Sequence, residues 1–193
     1  MHTTSLTLLD RLKHAAPDGD EWRQLRDLYL PLIRFWLSRV PGLRDEADDL
    51  AQEVFLVVVR QLPSFERRRD GSFRAWLRQI TVNRIRSYGK ARPRRPQAGR
   101  GDGDDLLAQL EDSSSDPARQ WDRDHDEHVF RKLLARVRPD FHPATWEAFE
   151  RFALDGRPAA DVARELGISE GAVVQAKSRV LKRLREEAGG FLD

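Results

Sequence analysis

Arginine and aromatic side chains are interleaved between Pro63 and Tyr88. Phe65, Arg67, Arg68 and Arg69 precede Gly71, and Phe73, Arg74, Trp76, Arg84, Arg86 and Tyr88 follow it. Guanidinium groups hold phosphates and ring faces stack on bases, so this mixture suits a single nucleic-acid strand. Opening a duplex costs a few kcal/mol for each displaced base, and stacking contacts of about 1–3 kcal/mol each can offset that. Phe73 and Trp76 also fall at core spacing, which leaves Phe65, Arg74, Asn83 and Arg84 as the contact candidates. The wider block agrees: residues 60–100 carry 13 basic and 2 acidic side chains, a charge footprint suited to phosphate.

A second constellation runs from Asp161 to Val173. Ala163, Gly167 and Val173 provide a small residue where two helices touch, a residue tolerant of positive φ at the turn, and an apolar lock beyond it. Val162, Leu166 and Ile168 fill the angle, Ser169 is placed to cap the next helix, and Glu170 favours its dipole. This is a helix-turn-helix. In its second helix Val173, Ala176, Val180 and Leu184 form the inward stripe, opposite Glu170, Gln175, Ser178, Arg179 and Lys182. Gln and Arg can make bidentate contacts to adenine and guanine edges in the major groove, whereas Lys anchors phosphates.

The third constellation is acidic. Asp45, Asp49, Gln52 and Glu53 line the polar flank of a helix, and Phe55 projects away from its buried stripe. Such a face repels DNA and suits a basic partner helix.

The elements that must position these groups are helical. Trp22, Leu25, Tyr29, Leu32, Ile33, Trp36, Leu37 and Val40 keep the i, i+3, i+4, i+7 spacing up to Pro41-Gly42, with a kink or short break expected at Pro31. An earlier short helix is expected from Thr4 or Ser5, with Leu8, Leu9 and Leu12 on one face. Ala47, Leu50, Ala51, Val54, Val58 and Leu62 define another helix, and Phe73, Trp76, Leu77, Ile80 and either Ile85 or Tyr88 a fourth. From Pro93 to about Asp124 the periodicity weakens while Pro, Gly, Ser and Asp accumulate, and residues 101–128 carry 10 acidic against 2 basic side chains. That composition predicts a flexible acidic linker outside the core. No strand alternation interrupts the helical pattern. The expected fold is all-α: a helical bundle over 1–92, a linker over 93–125 and a helix-turn-helix domain over 126–193.

Several function classes lose support. The chain of 193 residues has no Cys, which excludes disulfides, thiolate catalysis and Cys-ligated zinc. No apolar run approaches the roughly 20 residues that span a bilayer, and the N-terminal residues lack a signal-peptide layout, so a cytoplasmic location without membrane contact is expected. His125 and His128, among Asp122, Asp124 and Asp126, read as solvated linker residues rather than metal ligands. Asp102-Gly103-Asp104-Asp105 lacks the Glu of a calcium loop, since Ser113 stands there. With no phosphate-cradling loop or nucleophile elbow, the reading is a binding protein, not an enzyme, with no cofactor and no metal.

Taken in order, these motifs resemble those of bacterial RNA polymerase sigma factors of the small, extracytoplasmic-function type. The resemblance covers about residues 5–92, the family's region 2, and about 128–188, its region 4. It implies that Asp49-Leu-Ala-Gln52-Glu53-Val-Phe55 docks on the β′ clamp of core polymerase, the β flap being a further contact of the chain. It also implies that Phe73-Arg-Ala-Trp76-Leu77 with Asn83 melts the minus-10 element, and that Phe65 to Ser72 forms the loop that captures a flipped base. Leu166 to Val173, with Ser178 and Arg179, would read the duplex minus-35 element together with Ser169, Glu170, Gln175 and Lys182. The partners implied are core polymerase, promoter DNA and, as a further candidate, an anti-sigma protein. Ser87 stands where the family often has an acidic residue, and Pro158 where it often has a capping Ser or Thr. The competing reading is a conventional regulator that binds duplex operators through the same helix-turn-helix, unaided by polymerase and usually as a dimer.

Overall fold

Leu25, Leu28, Tyr29, Leu32, Ile33, Trp36 and Leu37 bury one stripe of helix α1 (Asp20–Arg39), and this stripe organises the first half of the molecule. The computed structural model describes residues 12, 15, 19–66, 72–91 and 100–188. Of the three leucines expected on one face of the N-terminal helix only Leu12 falls among them, and it is buried; Arg67 to Gly71 lie outside the described residues. The chain divides into two compact units, over residues 6–129 and 130–189.

In the first unit α1 starts after Gly19 with Asp20 and Glu21 in its first turn, and it ends where Val40 turns extended before Gly42 at φ +77°. It passes through Pro31 as one continuous helix, so the break offered as one alternative by the sequence does not occur. Proline removes one hydrogen bond, to the carbonyl of Asp27, but Leu28, Tyr29, Leu32 and Ile33 are buried on both sides of it and hold the helix together. Helix α2 (Ala47–Gln61) buries Ala47, Leu50, Ala51, Val54 and Val58 against α1, and Pro63 closes it in a 3-10 turn, Leu62–Ser64. Helix α3 (Ser72–Ala91) packs on α2 and buries Phe73, Leu77, Ile80, Val82 and Ile85.

The expected linker is largely helical. Helix α4 (Arg100–Glu111) packs on α3 with Leu107 and Leu110 buried, and helix α5 (Asp116–Val137) buries Ala118, Trp121, His125 and Val129. Composition concealed this because the apolar line is only one residue wide, at spacings of three and four along an otherwise acidic helix. The Ser- and Pro-rich stretch is a cap: Ala118 N–H donates to Ser115 Oγ at 3.1 Å, and Pro117 sits in the first turn, where it has no hydrogen bond to lose. The boundary between the two compact units falls within α5.

In the second unit, the end of α5 and a 3-10 turn (Arg138–Asp140) lead into α6 (Pro143–Phe149), a π-helical turn (Glu150–Leu154), α7 (Ala159–Leu166) and α8 (Glu170–Ala188). Ala148, Val162, Ala163, Val173 and Ala176 form its core, closed by Phe152, Ala159, Leu166 and Ile168. Gly167 adopts φ 65°, ψ 32°, and the Ile168 N–H reaches back to the Ala163 carbonyl at 3.0 Å, which ends α7 and sets the turn into α8. A Cβ at Gly167 would meet nothing within 4 Å, so a substitution there acts through backbone strain alone. Gly167→Ala is expected to destabilise this unit by about 1–2 kcal/mol, and Gly167→Asn by less, as read from urea unfolding. Equal costs for the two would contradict this.

Candidate nucleic-acid and protein interfaces

Three surfaces carry the groups singled out in the sequence. On α2 and the turn before it, Asp45, Asp49 and Gln52 are exposed. Arg34 of α1 pairs with Asp48, the neighbour of Asp49. Glu53 is half-buried and binds Arg84 of α3, so a residue assigned to protein docking and one assigned to DNA hold each other. Phe55 is half-buried too and does not project as expected; Leu56, 54% exposed, is the apolar side chain this face presents. At 3.6 residues per turn Leu56 continues the line of Asp45, Asp49 and Gln52, a signal that the aromatic character of Phe55 obscured.

The second surface is α3. Here tertiary structure rearranges the basic block, because the acidic helices α4 and α5 lie against it. Arg74 binds Asp126 at 3.0 and 3.1 Å and approaches Asp122 at 3.7 Å. Arg78, only 5% exposed, donates to Asp122 at 2.6 Å and to the Ala118 carbonyl at 3.3 Å. Arg86 forks onto Glu111, one arm at 2.9 Å, and Gln79 donates to both Glu111 and Asn83. Of the four expected strand contacts, Asn83 alone is exposed. Arg74 and Arg84 are committed to carboxylates, and Phe65 is buried, 5.7 Å from Phe73 and 4.8 Å from Trp76 between ring centroids. Trp76, taken as structural in the sequence, is half-buried against Phe65 and Phe73 and also lines an open cleft of about 480 Å³ together with Gln61, Ser64, Phe65 and Glu66.

The histidines are not solvated. His125 is buried, with Nδ1 3.0 Å from Asp126 and Nε2 3.3 Å from the Tyr29 hydroxyl, and its ring stacks on Tyr29. His128 Nε2 lies 2.7 Å from the Leu28 carbonyl, to which it donates. Burial raises the Asp126 pKa, but the hydrogen bond from His125 and the charge of Arg74 outweigh it and hold the carboxyl below the usual carboxylate range. A carboxyl depressed on folding contributes stability that is present above its ordinary pKa and is lost as pH falls through the depressed value. Asp126→Asn is therefore expected to lower the melting temperature at pH 7 and to flatten its decline as the pH falls below the ordinary carboxylate pKa of about 4. A melting series across that range checks this, and parallel curves for the two proteins would refute it.

On the third surface α8 begins at its expected cap, with the Ala172 N–H donating to Ser169 Oγ at 3.2 Å. Ser169, Glu170, Gln175, Ser178, Arg179 and Lys182 are all exposed, while Val173, Ala176, Val180 and Leu184 are buried. Arg183 faces inward to Asp140 and Glu187, both at 2.8 Å. Lys177 lies over the Phe152 ring at 5.2 Å. Arg151 and Arg157 converge on Glu165, whose pKa is lowered chiefly by the hydrogen bond from Arg157. These contacts brace α7 against the turn before it and leave the Gln175–Arg179 face unencumbered by ion pairs among the described residues.

Comparison with known proteins gives two family matches, sigma-70 region 2 over residues 25–95 and sigma-70 region 4 over 147–186. The ECF RNA polymerase sigma factor ShbA of Streptomyces griseus is 28% identical over 192 residues, covering 96% of this chain and 97% of that protein. The RNA polymerase sigma-H factor of Pseudomonas aeruginosa is 30% identical over 146 residues, covering 71% of this chain and 68% of that protein. The probable RNA polymerase sigma factor RfaY of Xanthomonas campestris is 30% identical over 141 residues, 73% of this chain, and the matched part spans 34% of that longer protein.

Proposed function

Because the chain belongs to the sigma-70 family of RNA polymerase sigma factors, in its extracytoplasmic-function group, we propose that it initiates transcription by dividing the work among the three surfaces above. RNA polymerase and promoter DNA are its partners at the level of the family. The Asp45–Asp49–Gln52–Leu56 face of α2 engages the β′ clamp of core polymerase. The exposed Gln175–Arg179 face of α8 reads duplex DNA upstream, and Asn83 with the cleft beside Trp76 receives a displaced base downstream. The chain makes no covalent change in the DNA: binding free energy is spent on separating strands.

The observation that carries this reading is the opposition of two faces in one chain, acidic and leucine-bearing on α2, glutamine- and arginine-bearing on α8. A lone operator-binding regulator has no use for the first. A cleft of about 480 Å³ with an indole on its wall is also large enough for a nucleobase. No helix among the described residues is long and apolar enough to cross a membrane, which is compatible with a protein that works beside polymerase in the cytoplasm.

Run-off transcription from a promoter library, with purified bacterial core polymerase and with or without the chain, tests the reading. Transcripts from defined start sites are expected only when both are present. Tight binding of the chain alone to a palindromic duplex, with no effect on core polymerase, would overturn it in favour of a regulator. Asn83→Ala is expected to leave the closed complex intact and to slow strand opening about tenfold, a loss of about 1.4 kcal/mol, seen as lost permanganate reactivity of promoter thymines.

A further inference from the structure

The reading face of α8 has one member that does not fit a phosphate or hydrogen-bonding role. Val174 is 47% exposed, whereas the other valines of this helix, Val173 and Val180, are fully buried. A single exposed valine on a protein surface ordinarily needs no explanation. This one is flanked on the same exposed arc by Glu170, Gln175 and Ser178, in the first turns of the second helix of a helix-turn-helix, the part that reaches base edges. Helix propensity does not account for it, since a β-branched residue is a poorer helix former than Lys, Gln or Arg.

The neighbouring side chains narrow what Val174 meets. Gln175 suits an adenine edge and Arg179 a guanine edge. The Ser178 hydroxyl donates back to the Val174 carbonyl at 3.1 Å, so toward the groove it offers acceptor lone pairs only. Among the four bases only thymine presents a methyl group in the major groove, and an apolar side chain recognises it by contact. Resting on the functional reading above, we propose that Val174 is a specificity-determining residue that packs its γ-methyl groups on the C5-methyl of one thymine in the upstream duplex element. Sequence preference there would then combine hydrogen-bond readout through Gln175 and Arg179 with apolar readout through Val174.

The test uses holoenzyme assembled from the full chain and bacterial core polymerase, on the upstream duplex recovered from a random library, at fixed ionic strength. Each thymine in turn is replaced by deoxyuridine, which lacks only the methyl. For the unmodified chain one position is expected to weaken binding about fourfold, the factor for one buried methyl. At that position Val174→Ala binds thymine and uracil duplexes equally. Val174→Thr, which keeps one γ-methyl, retains part of the difference. Because the side chain is exposed, neither substitution is expected to perturb folding, and a melting curve verifies this.

The proposal is overturned if Val174→Ala keeps every thymine-over-uracil difference of the parent, if the selected element has no such thymine, or if Val174→Ala weakens core binding instead of DNA binding. All three outcomes leave the functional reading standing. A holoenzyme that selects no upstream element at all would overturn that reading and this inference together.

Discussion

Asp49→Arg is expected to leave the chain folded and to weaken its association with core polymerase by about 100-fold or more, close to 3 kcal/mol. Asp49 is exposed in the first turn of α2, and no ion pair of its own is recorded among the described residues. Within the chain it only favours the helix dipole, a contribution of about 0.3–1 kcal/mol that Asp48 continues to supply. Against a basic partner helix, reversal of its charge removes an attraction and adds a repulsion in a desolvated contact, where such changes are largest. Fluorescence titration of labelled chain with core polymerase, beside a thermal melt, separates the two effects. Unchanged affinity would move the docking surface away from α2, and loss of the folded state would show that Asp49 has a structural role.

The second large effect concerns the stretch that composition marks as a tether. Trp121 is 1% exposed, its ring centroid lies 4.5 Å from that of Trp36, and it anchors α5 on α1 within the first unit. Trp121→Ala is expected to destabilise that unit by about 3–5 kcal/mol, enough to leave little of it folded if its total stability is ordinary. Trp121→Phe should cost less, because the indole N–H is buried without a hydrogen-bond partner and its removal forfeits nothing polar. Urea unfolding monitored by circular dichroism checks both. A cost below about 0.5 kcal/mol for the alanine variant would mean that α5 is not packed as described.

The same packing changes how the charge pattern is understood. Blocks of opposite sign, one over residues 60–100 and one over residues 101–128, read separately as a nucleic-acid footprint and a solubilising spacer. In the folded unit they are partly each other's counter-ions, through Arg74 with Asp126, Arg78 with Asp122 and Arg86 with Glu111. The free basic surface is therefore smaller than the count of arginines suggests. Of the contacts expected on α3, Asn83 stays exposed and Trp76 lines an open cleft, whereas Arg74 is paired with Asp126.

What the order of residues determined alone was local in origin. The 3.6-residue stripes of α1, α2 and α3 follow from periodicity over neighbouring turns. So do the cap at Ser169, the left-handed Gly167 and the division of α8 into a buried and an exposed face, all fixed by side chains within about ten positions of one another. The family followed from those motifs in sequence. What the tertiary structure decided was the pairing of distant segments: that Glu53 meets Arg84, that Trp121 lies against Trp36, and that His125 is enclosed beneath Tyr29. Ion pairs and aromatic contacts depend on distance in space and leave no periodic trace along the chain. A helix whose apolar line is one residue wide resembles a spacer until the surface that covers it is known.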